Sequence, residues 1–377
     1  MPERIPSVGS RRITELDGWR GISVLCVVIG HVINVRYSAN PGLEPTNLPG
    51  VLSAFGVDVF FVISGFIITR LAIEERADRG YFSIARFYTR RIFRIIPAFY
   101  FYLFSIAVFA QWGLIEQPGY DTAVATTFVC NVPHAPCGWF AAHSWTLSFE
   151  EQFYLTFPLI FYFGGRGSTK ILPAIFVALL LFPFARYALH LTGAWRIASD
   201  FCPSFSFICV GAVSAAHEPI MRRLATGRHN AAISAIAAGF VVALGACNSI
   251  VSLPLNSPES YVQASLTIVL LPVCLAWTVL SLVYRDSPLS ALLRNRLVQF
   301  LGLISYSLYL WQQVFTAAAS HYLVDSWLMF PPLMLVAAML SYYCIERPCI
   351  RAGRQLMARG RAPPIREPGE NEKAIAG

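Results

Sequence analysis

Long apolar stretches recur along this chain, separated by short polar stretches rich in arginine, glycine and proline. A helix needs about 20 predominantly apolar residues to cross a bilayer. Stretches near that length predict ten membrane-spanning helices, over residues 19–35, 53–73, 96–113, 145–164, 171–191, 204–218, 231–253, 263–284, 298–319 and 329–346. The fold class expected from this pattern is all-α, a polytopic transmembrane helical bundle.

The composition agrees with a membrane protein. Of the 377 residues, 56% are hydrophobic and only 13% are charged, whereas soluble domains average about 25% charged residues. We expect a polar N-terminal segment at 1–15, one membrane domain at 16–348 and a basic, partly disordered tail at 349–377. No small-residue cleavage pattern follows the first apolar run, so no cleavable signal peptide is expected. The expected partner of the surface is the lipid bilayer, and nucleic acid is not expected despite a net charge of +8.

The distribution of positive charge predicts the orientation of the spans. Lys and Arg favour cytoplasmic loops. If the N-terminus is inside, all but three of the 29 Lys and Arg residues fall on the inner side, the exceptions being Arg36, Arg186 and Arg196. This asymmetry predicts cytoplasmic termini and an even number of spans.

The first span carries three polar residues near one face. Arg20 and His31 are eleven residues apart, which on a helix places them within about 20° of each other and about 16 Å apart along the axis. Asp17 lies within about 40° of the same face. An ionisable residue inside a membrane span is a functional hypothesis by default. The alternative is a cytoplasmic anchor followed by a buried, hydrogen-bonded histidine.

A cluster of arginines follows the second span. Arg90, Arg91 and Arg94 occur at helical spacing, and Pro97 closes the cluster. Like charges four residues apart oppose each other unless an anion joins them, and the arginine fork suits phosphate. The cluster is therefore predicted to hold a phosphorylated cytosolic donor, or else to anchor the chain at anionic lipid.

Two adjacent carboxylates open the fourth span. Glu150 lies at a depth similar to that of His31 and is expected to orient it, because a carboxylate commonly supports a histidine general base. Glu151 and, from the fifth span, Arg186 are expected in the same polar layer. The alternative is a set of interfacial side chains that face the lipid headgroups.

Other positions supply weaker signals. Asp58 lies in the second span, where Ser64-Gly65 permits close helix packing, and Tyr306 and Trp311 are expected beside a polar cavity in the ninth. Glu346-Arg-Pro348 is interpreted as a helix stop at the inner surface. No histidine pair has metal-ligand spacing, so no metal is expected.

Two cysteines, Cys130 and Cys137, bracket a short segment on the predicted outer face. They can close a small disulfide loop there, or remain two unpaired thiols.

Together these motifs resemble the integral-membrane acyltransferase family three, the O-acetylases of bacterial surface polysaccharides. The matches cover about residues 16–348 in family order. They are Leu16–Gly21 with His31, Gly56–Phe66, Arg90–Pro97, Trp145–Tyr154, Ser305–Trp311 and Glu346–Pro348.

The resemblance implies a bacterial inner-membrane enzyme with about ten spans. It further implies a cytosolic acyl-CoA donor, usually acetyl-CoA, and a glycan or glycoside acceptor at the outer face. His31 matches the essential histidine, and Arg90, Arg91 and Arg94 match the donor-side motif, with Arg20 expected along the donor's path. Gln312 stands where many members place a histidine, which puts an acid–base role there in doubt. The SGNH-type domain of some members is not expected in this chain.

The mechanism expected from these residues has His31 taking the proton from an acceptor hydroxyl, or briefly carrying the acyl group itself. A transporter or flippase of a glycolipid or small molecule is the alternative, because many spans with intramembrane charges also fit that class. A purely structural scaffold would not need buried His31 and Glu150. The acceptor, the acyl chain length and the oligomeric state are left open by the sequence.

Overall fold

The computed structural model describes residues 13–38, 47–132, 135–189, 194–250, 258–317, 321–322 and 331–359. These residues form helices without β-strands, apart from one isolated bridge between Ile115 and Tyr322. The helices are α1 (Thr14–Ser38), α2 (Leu48–Arg79), α3 (Ile84–Gln111), α4 (Gly119–Ala125), α5 (Gly138–Ala142), α6 (Trp145–Gly164), α7 (Ser168–Ala188), α8 (Ala194–Ala216), α9 (Glu218–Thr226), α10 (Asn230–Ile250), α11 (Pro258–Leu280), α12 (Pro288–Leu293), α13 (Arg296–Phe315), α14 (Pro331–Ser341) and α15 (Arg347–Arg359). The predicted all-helical class is confirmed.

Several of these helices are apolar and long enough to cross a membrane. Within the described residues, four satisfy length and composition together: Thr14–Val35, Leu48–Arg79, Ile84–Gln111 and Pro332–Ala358. A fifth is formed if Phe201–Ala216 and Glu218–Thr226, bent by 84° to each other, count as one span. The chain is thus a multi-pass membrane protein. Ten spans and the orientation of the termini stay predictions, and residues 1–12 and 360–377 lie outside the described part.

Glycines set how closely the first helix packs on its neighbours. A side chain on Gly302 of α13 would overlap the backbone carbonyl of Asp17 in α1, and one on Gly21 would overlap that of Val298. Close approach of this kind needs small residues at the contact. The two helices run in the same direction. His31 lies ten residues after Gly21, and Gln312 lies ten residues after Gly302. These two residues therefore face each other about 15 Å further along the helix axes.

A second glycine contact joins α2 to α8. A Cβ on Gly65 would overlap the carbonyl of Ile208, and one on Gly211 would overlap that of Val62. The predicted role of Ser64-Gly65 in close helix packing is confirmed. This contact holds α2 in place between α1 and α8 and so orients the side chains that α2 presents to the site.

Two predicted helix boundaries are wrong. The sequence predicts a third span that begins at residue 96, after the arginine cluster, but α3 begins at Ile84 and runs through the cluster and Pro97 to Gln111. Glu346-Arg-Pro348 is not a helix stop either: the backbone from Tyr342 to Glu346 forms a π-helical turn that leads directly into α15. Proline lacks the backbone donor of a regular turn, and membrane helices re-satisfy the freed carbonyls through neighbouring groups and local π adjustments.

The described residues between α3 and α6 include the two short helices α4 and α5. Cys130 and Cys137 are joined by a disulfide there. The side-chain amide of Gln117 donates to the backbone carbonyl of Cys137, 3.1 Å away. These contacts fix the start of α5, whose residues contact α13.

Candidate active site

A cavity of about 70 Å³ opens between five helices. Its walls come from α1, α2, α3, α6 and α13, and its polar lining consists of Arg20, Ser64, Arg91, Arg94, Thr146, Glu150, Tyr154, Ser305, Tyr306 and Tyr309. The two charged sequence motifs of the first span and of the arginine cluster therefore meet in one cavity, as their chemistry suggested.

Three arginines lie together in this cavity. Arg20, Arg91 and Arg94 all line it, and like charges gathered in a low-dielectric space repel one another unless an anion joins them. Arg20 has Asp17 nearby, with 3.9 Å between Nη1 and Oδ1. The guanidinium of Arg91 lies over the ring of Tyr154, 4.8 Å from its centroid, an arrangement that holds the fork in a fixed orientation.

Arg90 does not belong to this group, contrary to the sequence prediction. Its Nη2 pairs with Oε2 of Glu75 at 2.9 Å, and Glu75 is buried. The residue points away from Arg91 because consecutive helical residues are about 100° apart. We therefore assign Arg90 to the α2–α3 contact rather than to the cavity.

Glu150 lies in the cavity, but the structure gives it other partners than the predicted His31. The hydroxyl of Ser64 donates to Oε1 at 2.5 Å, and that of Tyr154 donates to Oε2 at 3.1 Å. Glu151 is close enough to Arg91 and Glu150 to interact electrostatically with both, and its Oε1 is buried without a hydrogen-bond partner in the described part. The carboxylate–histidine pair expected from equal depth is thus not formed.

His31 is held instead by a chain of amides. Its Nδ1 lies 2.7 Å from Oε1 of Gln312. The Nε2 of Gln312 donates to Oε1 of Gln313 at 3.0 Å, and the Nε2 of Gln313 donates to the backbone carbonyl of Trp139 at 3.1 Å. Thr316 also donates to Oε1 of Gln312, at 3.1 Å.

The polarity of this chain follows from its last member. A backbone carbonyl can only accept, so Gln313 must turn its amino group to Trp139 and its oxygen to Gln312. Gln312 must then donate to Gln313 and present its own oxygen to His31. The proton of neutral His31 is therefore on Nδ1, and Nε2 keeps a free lone pair, as a base or a nucleophile requires.

A second histidine, His143, lies near His31. Sequence reasoning did not single it out. Its ring contacts those of Tyr102 and Tyr309, each with a centroid separation of 5.4 Å, and neither ring nitrogen has a partner in the described part. Burial and the neighbouring His31 lower the pKa of His143 to about 3. The ring is therefore neutral at neutral pH.

The remaining predicted residues are spread around the site. The hydroxyl of Tyr306 lines the cavity and donates to the carbonyl of Ile95 at 2.9 Å. Trp311 is buried against Tyr102, outside the cavity lining, with a centroid separation of 5.6 Å. Asp58 is half-buried on α2, one position from the cavity-lining Val57. The backbone of Arg186 belongs to α7, and its side chain lies outside the described part.

Sequence reasoning also missed Glu346. It is 2% exposed, accepts a hydrogen bond from Ser307 at 2.9 Å, and interacts electrostatically with Arg94 and Arg20. The π-helical turn places it there, because a wider turn shifts the direction of the side chains relative to a regular helix. The signal in the sequence was the carboxylate itself, at the end of an apolar stretch.

Comparison with known proteins identifies the class to which this arrangement belongs. The sequence model of the acyltransferase 3 family, which describes an acyltransferase domain, matches residues 13–346 of this chain. The chain belongs to this family.

Curated relatives from Staphylococcus aureus share the similarity. O-acetyltransferase OatA of strain NCTC 8325 / PS 47 is 31% identical over 168 residues, which are 41% of this chain and 25% of OatA. SACOL0978 of strain COL, named as a provisional O-acetyltransferase, is 25% identical over 388 residues, or 91% of this chain and 58% of its own length. The chain therefore spans only part of these relatives. No solved structure matches.

Proposed function

We propose that this protein is a membrane O-acyltransferase. It moves an acetyl group from cytosolic acetyl-CoA to a hydroxyl of a glycan or glycoside acceptor at the outer face of the bacterial inner membrane. The observation that carries this proposal is the oriented His31 at one end of a helix face whose other end, at Arg20, enters a cavity lined by three arginines. Family membership and the names of the relatives support the reaction type.

The donor is held by the arginines of the cavity in this proposal. Arg20, Arg91 and Arg94 line one cavity, and guanidinium forks bind phosphate through paired hydrogen bonds. The phosphates of the donor are separated from its thioester by the extended pantetheine arm. The separation of about 16 Å that helix geometry gives between Arg20 and His31 suits such a ligand.

The chemical step uses the free lone pair of His31. Its Nε2 takes the proton from the acceptor hydroxyl while the hydroxyl oxygen attacks the thioester carbonyl. The carbon–sulfur bond then breaks, and the departing thiolate receives the proton from the imidazolium. Gln312 stabilises the imidazolium because its oxygen accepts from Nδ1, and a hydrogen bond to a charged donor is stronger than one to a neutral donor.

The test is release of free CoA thiol from acetyl-CoA by membranes that contain the chain. We expect release with wild type, and loss of release with His31→Ala at equal protein level in the membrane. The matched control is His217→Ala, because the ring of His217 bonds to the carbonyl of Val213 at the end of α8 and lies outside the cavity lining. A transporter would release no CoA thiol, and undiminished release by His31→Ala would contradict the assigned role.

A further inference from the structure

A second, shallow pocket lies beside α5 and the start of α6. It is lined by the disulfide of Cys130 and Cys137 and by Trp139, Trp145 and His321. Trp145 is 37% exposed, and the ring of Trp139 stacks on that of His321 with a centroid separation of 4.7 Å. The indole Nε1 of Trp139 is buried and has no hydrogen-bond partner within the described residues.

This pocket is connected to the candidate base. The backbone carbonyl of Trp139 is the acceptor that ends the amide chain from His31 through Gln312 and Gln313. The pocket and the amide chain of His31 thus share one residue of the short helix α5, Trp139. His143, which follows Ala142 of the pocket, also interacts electrostatically with His31, so the pocket and His31 lie near each other.

The chemistry of the lining indicates the kind of molecule. No Asp, Glu, Lys or Arg is among the described residues that line this pocket, so nothing there compensates a phosphate or an ammonium group. Aromatic rings offer flat apolar faces, while indole N–H groups offer donors. A pyranose ring matches both properties, because one face carries C–H groups and the rim carries hydroxyls.

We propose that the pocket formed by Trp139, Trp145 and His321 binds an uncharged pyranose ring of the acceptor glycan and presents its hydroxyl to His31. This inference rests on the proposed function, because it names the acceptor subsite of the same reaction. The disulfide holds the wall of this subsite, and the amide chain fixes its position relative to the base.

The test separates acceptor binding from the rest of the reaction. The full chain is purified in detergent micelles, where both faces are accessible, and CoA release from acetyl-CoA is followed as surface glycan extract is added. The extract comes from the cell that carries the chain and is first freed of O-acetyl groups by mild alkali. Trp145→Ala is expected to raise the half-saturating concentration of extract about tenfold or more, with the apparent KM for acetyl-CoA unchanged, since loss of a tenfold factor in affinity corresponds to about 1.4 kcal/mol.

Two further variants test whether the effect of Trp145→Ala comes from misfolding rather than from loss of acceptor binding. Trp145→Phe keeps an aromatic face and is expected to stay within about threefold of wild type. Ala142→Trp fills the pocket without removing a wall and is expected to raise the half-saturating concentration as Trp145→Ala does. The matched control is Trp112→Ala, because Trp112 is 70% exposed and lies outside the pocket lining.

The outcomes are distinct. Extract-stimulated release with a raised half-saturating concentration in both Trp145→Ala and Ala142→Trp supports the subsite. Stimulated release with unchanged half-saturation in these variants overturns it, as does competition by tetramethylammonium, which would indicate a cation site on the aromatic rings. Absence of any CoA release from wild type would instead refute the proposed function, and the subsite with it.

Discussion

Replacing Gln312 by leucine should slow the chemical step without removing the base. The Nδ1 of His31 donates to Oε1 of Gln312 across 2.7 Å, and this bond becomes charge-assisted when the imidazolium forms. A hydrogen bond to a charged group contributes about 1.5–3 kcal/mol. At about 1.4 kcal/mol for each factor of ten, Gln312→Leu should lower kcat roughly 10- to 150-fold.

The matched variant is Gln312→Glu, which retains an oxygen facing His31 but has no amino group to donate to Gln313. It should keep the tautomer of His31 and retain a higher kcat than Gln312→Leu, because a carboxylate stabilises the imidazolium, even though its second oxygen opposes Oε1 of Gln313. The assay is CoA release at saturating acetyl-CoA and acceptor extract, normalised to protein in the membrane. A Gln312→Leu variant with wild-type kcat, beside an inactive His31→Ala variant, would refute the positioning argument.

Two other predictions test the cavity and the helix contact. Arg91→Ala should raise the apparent KM for acetyl-CoA about tenfold or more, because a charged hydrogen bond to phosphate is lost. Arg90→Ala should leave this KM unchanged, since Arg90 pairs with Glu75. Equal effects of the two substitutions on KM would contradict the assignment of Arg91, and not Arg90, to the cavity. Gly302→Ala should lower the free energy of unfolding by about 1–3 kcal/mol, since the added methyl group would overlap the backbone carbonyl of Asp17 in α1. Gly239→Ala, with nothing within 4 Å of the added atom, should show no such loss in thermal unfolding in detergent, and similar melting curves for the two variants would contradict the close contact.

Much of the architecture followed from periodicity and composition. Helices at the predicted segments, the small residues at close contacts, and the meeting of Arg20 with Arg91 and Arg94 all depend on local patterns or on shared chemistry. Pro348 was misinterpreted as a helix stop, because a proline ends a helix in water but is tolerated where neighbouring groups replace the lost hydrogen bond.

The partner of His31 was the main error in the predicted site. Depth along two spans placed Glu150 near His31, but depth does not specify which faces of the helices point toward each other. The glycine contact between α1 and α13 fixes that rotation and brings Gln312 to His31 instead. Such a contact joins residues 281 positions apart, and no local pattern in one sequence carries that information.

The proposed function requires His31 for the acetylation of a glycan at the outer face of the membrane. The most direct measurement is mass spectrometry of surface and secreted glycans from cells fed isotopically labelled acetate, comparing wild type, cells without the chain and cells with His31→Ala. We predict one labelled acetyl group on a glycan of the wild type alone. The same labelled glycan in cells with His31→Ala, at equal protein level, would contradict the account.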